Sequence, residues 1–496
     1  MKAEQWSGKL YRAEQVRRGE RQAAAQQQLA MYLLMERAGA AVFHQLEQDF
    51  TRHQHVLVCC GGGNNGGDGY VVARLAKEAG YQVTLWQMGD AAKLQGDAAL
   101  ARDAWLATGG QILPPAASIP SSIEVVIDAL LGTGLSGEVR PEGKQLIMMI
   151  NRIAVPVIAI DIPSGLCADT GKVLGEAVKA QSTVTFIGSK QGLWTGQAAE
   201  YVGQVQFAGL QVADDFEQIE PPSARLIQAA DVASCLLPRA RSAHKGDHGR
   251  IILAGGDHSM GGAIRMASEA AARAGAGLTA VLTQPDNALS IVTARPEIMA
   301  VGWQQTDKVL LAQRLQWADV LVVGPGLGQS SWSQSLYSEL TKTEKSLVVD
   351  ADGLNLLSRS PDYKNNRIIT PHPGEAARLL ACSVHEVEAD RFRAARALQQ
   401  KYGGVVVLKG AGTLVDDGTQ CWVCAAGNPG MATGGMGDVL SGIIGALLGQ
   451  GLSLAAAAWC GVWIHSTAAD RCAAEGERGM LASDLFPHIR QLVNPR

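Results

Sequence analysis

The stretch HVLVCCGGGNNGGDG, residues 55–69, joins a short apolar run to a nine-residue segment that contains six glycines. The apolar run predicts a buried strand, and the residues from about Asp68 onward, including YVVARLAKEAG, predict a helix. Glycine adopts positive φ without steric cost and lets a ligand approach the main chain, so a glycine-rich turn from strand to helix is typical of a phosphate site. The spacing matches neither the dinucleotide fingerprint nor the Walker loop. Taken alone, the segment is also compatible with a tight turn that carries incidental polar residues.

The alternation of strand and helix continues beyond this segment. The apolar segments YQVTLWQM, IEVVIDAL and VPVIAIDI alternate with the helical segments GDAALARDAWLA and EGKQLIMMINRI. Continuous apolar strands separated by helices predict a parallel sheet covered on both faces, with the ligand at the carboxyl ends of the strands. The first half of the chain is therefore predicted to be a Rossmann-like α/β/α sandwich.

Polar side chains follow several of these strands where they end. Asp128 closes one strand before GTGLSGE, and Asp161 and Ser164 close the next one. With the NNGGD loop, they would place carboxylates, an amide, a hydroxyl and glycine loops at one rim of the sheet. On their own, Asp128 and Ser164 are also typical of polar strand-end residues.

A polar segment divides the chain of 496 residues. The residues 212–227 are acidic and include Pro221 and Pro222, a composition typical of a linker or domain edge. Beyond it the alternation resumes with different glycine motifs, as expected for a second α/β domain. Because a domain averages about 150 residues, the length suggests two large domains or three smaller ones. With the boundary at this polar segment, we predict two domains, residues 1–220 and 221–496.

Composition limits the classes of partner and compartment. A formal net charge of −4 provides no basic field for duplex nucleic acid, so we expect no nucleic-acid partner. Nine scattered cysteines argue against a disulfide framework and favour a reducing, cytoplasmic location. The first thirty residues contain charges and glutamines without an apolar core, so neither a secretory signal nor a membrane anchor is expected.

Two other segments have alternative interpretations. The residues 439–466 carry no acidic or basic side chain except His465 and are long enough to cross a bilayer, but the GQG interruption and the alanine content favour two buried helices. The pair in CWVC, Cys421 and Cys424, has zinc-like spacing, but no second pair or nearby histidine completes a site. An ordinary strand is favoured there.

The segment GGMGDVLSGIIGALL, residues 434–448, indicates the chemistry of the second half. A glycine pair leads into a helix whose first turn carries Asp438. The free amides and the dipole at a helix N-terminus attract a phosphoryl group, and a carboxylate there can take the proton of an attacking hydroxyl. The pattern resembles the ribokinase superfamily, although glycines and an aspartate also make good helix caps.

Further motifs narrow this resemblance. The series HKGDHGRIILAGG, MGGAIRMA, GPGLG, DADGLNLL, TPHPGE and KGAGT resembles the ADP- or ATP-dependent NAD(P)H-hydrate dehydratases. In the first half, the series MERAG, GNNGGDG, DALLGTGLSG and DIPSG is similar to the NAD(P)H-hydrate epimerases. Together they cover nearly the whole chain, which resembles the bifunctional NAD(P)H-hydrate repair enzymes, with the epimerase domain first and a ribokinase-like dehydratase domain second.

The resemblance implies metabolite repair. The first domain would interconvert the R and S forms of hydrated NADH and NADPH. The second would dehydrate the S form to NAD(P)H at the expense of ADP, giving AMP and phosphate. NADHX, NADPHX and ADP are then the small-molecule partners, with no membrane partner, and the expected assembly is a homo-oligomer.

The resemblance also assigns residues of the dehydratase domain. Asp438 would be the base, and Glu375 would support, indirectly, a magnesium ion that accompanies ADP. The hydrate would contact Ala263, Gly326, His372 and Asp438. The nucleotide would contact Lys409, Gly410, Ala411, Gly412, Thr413 and Gly437.

The resemblance also assigns residues of the epimerase domain. Asp161 would be the acid/base, with Lys190 as a second catalytic group whose alternative interpretation is a solvated lysine at a strand end. A potassium ion would be bound by Asn65, Asp128 and Ser164. The substrate would contact Asn64, Asn65, Gly66, Gly67, Asp68, Gly132, Thr133, Gly134, Leu135, Ser136, Gly137, Glu138 and Asp161.

Several alternatives stay open at this point. Neither the choice of ADP over ATP nor that of NADHX over NADPHX follows from the sequence, and the partner of Asp161 in proton transfer is not identified. A kinase of the ribokinase superfamily acting on a vitamin precursor is an alternative, and it would release a stable phosphorylated alcohol. A noncatalytic binding module is an alternative for the first half.

Overall fold

The computed structural model describes residues 6–50, 54–116 and 118–494. Within it the chain divides into two compact units, Met1–Arg225 and Leu226–Arg496. The expectation that the first thirty residues lack a signal falls partly on residues 1–5, which lie outside the described ranges.

The first unit alternates strands and helices along most of its length. Its elements are β1 (Lys9–Tyr11), α1 (Ala13–Gln26), α2 (Met31–Asp49), β2 (His55–Cys60), α3 (Asn64–Glu78), β3 (Gln82–Gln87), α4 (Gly96–Ala107), β4 (Val125–Ala129), α5 (Pro141–Arg152), β5 (Val157–Ile160), β6 (Ser182–Phe186), β7 (Ser189–Lys190), β8 (Gln204–Ala208), α6 (Ala213–Ile219) and, at the boundary, β9 (Ala224–Leu226). One sheet has the strand order β3-β2-β4-β5-β6-β8, with every neighbouring pair parallel. The predicted parallel sheet is confirmed, and the carboxyl ends of β2, β4 and β5 lie side by side.

Helix α3 begins earlier than the sequence pattern predicts. It starts at Asn64, so the NNGGD residues form its first turns instead of a loop. The helix approaches the end of β2 closely, because a Cβ atom added at Gly66 would lie 2.0 Å from the carbonyl oxygen of Gly61. A Cβ atom at Gly67 would lie 2.6 Å from Cε of Met35. These two glycines allow close packing around the start of the helix.

This packing leads to a stability prediction. Gly66→Ala is expected to destabilise the fold by about 2 kcal/mol, because the overpacked methyl group outweighs the gain in helix propensity. For a unit of this size, such a change lowers the unfolding temperature by roughly 4–8 °C. Gly62→Ala is the matched control, since a Cβ atom there meets nothing within 4 Å. Differential scanning calorimetry of the full chain measures both variants, and equal unfolding temperatures would contradict the prediction.

The polar segment before the boundary is not a linker along its whole length. Residues 213–219 form α6, whose Phe216 is fully buried. The Phe216 ring packs edge-on against Tyr11 with ring centroids 4.7 Å apart. The single aromatic residue therefore anchors a segment that its charge and prolines predicted to be irregular.

The second unit is a separate α/β structure. Its elements are α7 (Ala229–Cys235), β10 (Arg250–Ala254), α8 (Gly261–Arg273), β11 (Leu278–Thr283), α9 (Pro285–Ala294), β12 (Met299–Gly302), α10 (Lys308–Trp317), β13 (Val320–Val323), α11 (Ser331–Thr341), β14 (Ser346–Val349), α12 (Ala351–Arg359), β15 (Arg367–Ile369), α13 (Pro373–Leu380), α14 (Val384–Ala389), α15 (Arg391–Tyr402), β16 (Val405–Leu408), β17 (Thr413–Asp416), β18 (Cys421–Cys424), α16 (Met436–Gly449), α17 (Leu454–Ala473) and α18 (Leu485–Leu492). The strand order is β12-β11-β10-β13-β14-β15-β16-β17-β18. The pairs from β12 to β16 are parallel, and β17 and β18 are added antiparallel.

The two segments with alternative interpretations are resolved by this fold. The apolar residues 439–466 form parts of α16 and α17 and the short connection between them, and both helices pack into the core of the unit. None of the described helices has the length and apolar character of a membrane span. Cys421 and Cys424 lie on β18 and are buried. CWVC therefore forms a strand, as predicted. The described part of the chain has no group of three or more His, Cys, Asp or Glu side chains that could hold a metal ion.

Candidate functional sites

The first unit has a cavity of about 820 Å³ at the carboxyl ends of its parallel strands. Glycine loops after β2 and β4 form part of its wall. Most of the predicted substrate residues line it, namely Asn64, Asn65, Asp68, Gly132, Thr133, Gly134, Leu135, Ser136, Glu138 and Asp161. Gly66, Gly67 and Gly137 are not part of this wall. The cavity is large enough for a ligand of cofactor size.

Asp161 and Lys190 form an ion pair in this cavity. Asp161 has a φ of 65°, a left-handed conformation that is uncommon for a residue other than glycine. Its Oδ1 accepts hydrogen bonds from Lys190 Nζ, from Thr185 Oγ1 at 3.2 Å and from the Phe186 amide at 3.2 Å. The Lys190 side chain is only 1% exposed, so the alternative interpretation as a solvated lysine is wrong.

Two further carboxyl groups line the same cavity, and both carry raised pKa values. Burial raises the pKa of Glu20 to about 7, with Lys190 opposing the rise and Asp161 adding to it. Burial, together with the charges of Asp161 and Glu20, raises the pKa of Asp68 well above its usual range. Sequence reasoning missed Glu20. The sequence pattern could have indicated it, because Glu20 follows the buried Val16 by one helical turn and lies on a face of α1 that is otherwise apolar.

Two of the three residues predicted to bind potassium, Asp128 and Ser164, are hydrogen-bonded to each other, and the third, Asn65, lies against the loop that follows β4. Asp128 is fully buried and accepts hydrogen bonds from Ser164, at 2.6 Å from its hydroxyl and at 2.8 Å from its amide. Burial raises the pKa of Asp128 to about 6, although these hydrogen bonds lower it. Asn65 lies against Gly132, 3.1 Å from the position of an added Cβ atom, and its side-chain Nδ2 is buried without a hydrogen-bond partner.

The second site is built around Asp438 in the first turn of α16. Gly435 caps this helix with a φ of 92°, which leaves the amides of the first turn open to an anion. Burial raises the pKa of Asp438 to about 7, the charge of Asp350 adds to the rise, and Lys409 opposes it. Such a carboxyl group exchanges its proton near neutral pH, as a general base must.

Lys409 connects three of the sequence motifs. Its Nζ donates to Asp350 Oδ1 at 2.9 Å and lies 3.7 Å from Glu375 Oε2. A Cβ atom added at Gly437 would lie 3.3 Å from the same nitrogen. The segments TPHPGE, KGAGT and GMGD therefore meet at one ammonium group, next to Asp438.

Asp350 and Ser441 are members of this site that sequence reasoning missed. Asp350 is 1% exposed, and the Ser441 hydroxyl donates to its Oδ2 at 2.6 Å. Burial on its own would raise the pKa of Asp350, but Lys409 and the surrounding hydroxyls hold it below its usual value. The available signal was an aspartate directly after the apolar strand SLVV, the position that identified Asp161 in the first unit.

The turn from Lys409 to Thr413 packs against a buried arginine, Arg391. Gly410 has a φ of 138°, and a Cβ atom there would lie 2.8 Å from Nη1 of Arg391. Arg391 donates to the carbonyl oxygens of Leu408 at 3.2 Å and Lys409 at 3.1 Å. The guanidinium group thus fixes the backbone of the predicted nucleotide turn, which also contains Ala411 and Gly412.

The residues predicted to contact the hydrate near Asp438 fall into two groups, Ala263 with Gly326 and His372 by itself. A Cβ atom at Gly326 would lie 3.0 Å from that of Ala263, so the two positions are adjacent. On α8, Ala263 lies one turn before Met266, which packs against Gly435 at the start of α16.

His372 is the N-cap residue of α13. Its Nδ1 accepts from the Gly374 amide at 3.0 Å, while Glu375 accepts from the His372 amide at 2.8 Å. The His372 ring is 55% exposed, and partial burial with the charge of Lys409 lowers its pKa. The accepting Nδ1 leaves Nε2 as the ring atom available to a ligand.

Comparison with known proteins gives concordant results for both units. The profile of the NAD(P)H-hydrate dehydratase family matches residues 251–491, and that of the YjeF-related protein N-terminus matches residues 32–192. Bifunctional NAD(P)H-hydrate repair enzymes of Vibrio cholerae and Escherichia coli are 51% and 49% identical to this chain. Each comparison covers 98% of this chain, and 98% and 94% of the respective relative.

More distant relatives agree. The enzyme of the same description from Leishmania infantum is 42% identical over 98% of this chain and 93% of its own length. Among solved structures, a ribokinase-like superfamily protein from Enterococcus faecalis is 30% identical, with a TM-score of 0.51 over 55% of this chain and 95% of that protein.

Proposed function

The chain belongs to the family of bifunctional NAD(P)H-hydrate repair enzymes, and on that basis we propose which residues carry each of its two reactions. The first unit holds the epimerase site and the second the dehydratase site, as the two family profiles are ordered. The substrates are NADHX, NADPHX and ADP. The observation that carries the proposal is the meeting of Asp438, Lys409 and Asp350 at the amide-rich start of α16.

The dehydratase reaction has to improve a poor leaving group. In the hydrate, C6 is bonded to a hydroxyl group and to the ring nitrogen. The lone pair of this nitrogen can expel the oxygen when the leaving group is phosphate instead of hydroxide. Asp438 takes the proton of the C6 hydroxyl group. The hydroxyl oxygen forms a bond to the terminal phosphorus of ADP, and AMP departs. The C6–O bond then breaks, and loss of a C5 proton restores the C5–C6 double bond. The α16 amides, including that of Gly437, stabilise the transferred phosphoryl group.

The remaining residues of the second site position the two substrates. The turn from Lys409 to Thr413 binds the nucleotide, with Lys409 held in place by Asp350. Ala263, Gly326 and His372 line the hydrate pocket. A magnesium ion would enter with the phosphates of ADP and neutralise their charge. Glu375 fits an indirect role toward that ion, because it is already engaged by the His372 amide and by Lys409.

The epimerase reaction breaks and remakes the C6–O bond on opposite faces of the ring. Asp161 carries the proton transfer, and Lys190 forms an ion pair with it in the cavity. The NNGGD residues and the 132–138 loop hold the phosphates and ribose of the substrate.

A potassium ion fits beside this site. Asp128 and Ser164 supply hard oxygen atoms, and rotation of the Asn65 amide exchanges its partnerless Nδ2 for Oδ1. An ion bound there would hold the 132–138 loop through Asn65 and Asp128.

Replacing potassium by lithium at constant ionic strength is expected to slow epimerisation by about ten- to hundredfold, because a positional error of about 1 Å has effects of that size. The dehydratase rate on the S hydrate, measured in the same buffers, is the internal control. Potassium should also raise the unfolding temperature of the wild-type chain but not that of Asp128→Asn. Equal epimerase rates in both salts contradict the proposed ion.

One assay tests both proposed reactions. A mixture of R and S hydrate is incubated with magnesium and either ADP or ATP, and the reduced-nicotinamide absorbance is followed. Full recovery with ADP supports both assignments, and full recovery with ATP alone would overturn the choice of donor. Recovery of the S form alone would overturn the epimerase assignment. A stable phosphorylated product without recovered absorbance would favour the kinase of vitamin precursors.

Two further expectations remain predictions. A homo-oligomer is testable by sedimentation equilibrium. A cytoplasmic location is supported by nine cysteines that are all free.

A further inference from the structure

Three carboxyl groups and Lys190 interact electrostatically in the cavity of the first unit, whose wall also carries other charged side chains, among them Arg17 and Arg21. Asp161, Asp68 and Glu20 come from the end of β5, from α3 and from α1, and Lys190 comes from β7. If all four groups were ionised, the cluster would carry a net charge of −2 in a partly buried site, which the exposed Arg17 and Arg21 offset only in part. Such a site holds at least one proton on a carboxyl group near neutral pH.

In the resting ion pair neither member offers a proton to a ligand. Asp161 Oδ1 accepts three hydrogen bonds, one of them from the ammonium group of Lys190. Lys190 has three N–H groups, and they meet Asp161 Oδ1, Thr185 Oγ1 at 3.3 Å and the Phe186 carbonyl at 3.1 Å. Asp161 is thus suited to accept a proton, and the acid has to be another group.

Epimerisation requires such an acid. The C6–O bond breaks as the ring nitrogen lone pair forms a C6–N double bond, and the departing oxygen must gain a proton to leave as water. When water returns to the other face of C6, it must lose a proton to a base. The reaction therefore needs an acid near the departing oxygen and a base near the water that adds.

We propose that Glu20 is the general acid of the epimerase site and that Asp161 is its base. This inference rests on the proposed function of the first unit. Glu20 gives its proton to the oxygen that leaves C6, and Asp161 takes one from the water that adds. The proton then returns from Asp161 to Glu20 through the cavity, so no proton is gained or lost in a cycle, and the reverse epimerisation uses the same two groups with their roles exchanged.

The position of Glu20 is defined by the packing of its helix. Val16, Ala23 and Ala24 are buried on the same side of α1, and Gly19 packs its backbone against Phe216 and Glu220. The helix is therefore fixed on both sides of Glu20, and its carboxyl group is held toward the cavity.

The charges around Glu20 favour it over Asp68 as the exchanging acid. Arg17 and Arg21 on α1 and Lys190 favour its ionised form, whereas burial and Asp161 favour its protonated form. These effects leave the pKa of Glu20 at about 7, whereas burial and the charges of Asp161 and Glu20 raise the pKa of Asp68 well above its usual range. A group that both gives and regains a proton at neutral pH needs a pKa near 7, as Glu20 has.

The test compares Glu20→Gln with Asp68→Asn in the full-length enzyme, with purified R hydrate as substrate. Glu20→Gln should lower kcat for R-to-S conversion by about 10²- to 10⁴-fold with little change in KM. The decline of the wild-type rate above pH 7, where Glu20 loses its proton, should disappear in this variant. Glu20→Asp should recover part of the rate. Dehydration of the S hydrate, which uses the second unit, should be unchanged in all variants.

Two results would overturn the inference. One is a Glu20→Gln rate within threefold of wild type, and the other is a loss confined to KM with an unchanged pH profile. A large loss in Asp68→Asn with full activity in Glu20→Gln would assign the acid to Asp68. An inactive wild-type epimerase is a separate outcome, since it would overturn the proposed function of the first unit before any variant is compared.

Discussion

Asp438→Asn is expected to lower dehydratase turnover by about 10³-fold, since an amide cannot accept the proton of the C6 hydroxyl group. The side chains have nearly the same shape, so the start of α16 and the Lys409–Asp350 pair should be retained. Removing one negative charge next to Lys409 should also tighten binding of the nucleotide phosphates slightly. The predicted signature is therefore a large loss in kcat with KM for ADP unchanged or lowered.

The epimerase half of the same chain is the control for this variant. R-to-S conversion, followed by chromatography of the two hydrates, should proceed at the wild-type rate. A variant that loses both activities would indicate a folding defect, and unfolding temperature would reveal it. Retention of more than a tenth of the dehydratase turnover would exclude Asp438 as the base.

The pH dependence gives a second measure of the same role. Burial raises the pKa of Asp438 to about 7, so its basic form is lost as the pH falls through that value. Turnover of the wild-type enzyme should be constant above about pH 7 and should fall about tenfold for each further pH unit below it. The residual activity of Asp438→Asn should lack this limb. A limb that persists in Asp438→Asn would mean that Asp438 is not the titrating group.

Asp161→Asn is expected to lower the epimerase rate by about 10²- to 10⁴-fold, because the remaining amide cannot act as the base. It also leaves the ammonium group of Lys190 buried without its counter-charge. Removing one partner of a buried ion pair destabilises a protein by about 3–5 kcal/mol, and the partial exposure of Asp161 places this case at the lower end.

A double variant separates catalysis from stability. Asp161→Asn combined with Lys190→Met removes both charges, so the unfolding temperature should return toward that of the wild type while the epimerase stays inactive. Dehydration of the S hydrate should be retained throughout. Recovery of epimerase activity together with stability would show that Asp161 has a structural role only.

Much of the fold could be predicted from patterns along the chain. Short apolar runs between amphipathic segments predicted the strands of the first sheet, because strands buried on both faces show no alternation. The GMGD segment likewise predicted a helix with Asp438 in its first turn, since the pattern is local and the start of a helix is determined by neighbouring residues. Boundaries were less accurate at α3 and α6. Packing of Gly66 on Gly61 and burial of Phe216 against Tyr11, which is distant in the chain, determine those segments.

What the sequence by itself determined is the order of strands and helices, the glycine turns at the ends of the strands, and the motif residues Asp161 and Asp438. Only the tertiary structure decided that Lys190 is buried, that Asp350 holds Lys409, and that Glu20 on α1 faces the same cavity as Asp68. The physical reason is that a pKa and a catalytic role depend on burial and on charges brought together in space. Helix propensity and apolar periodicity, in contrast, are properties of neighbours in the chain.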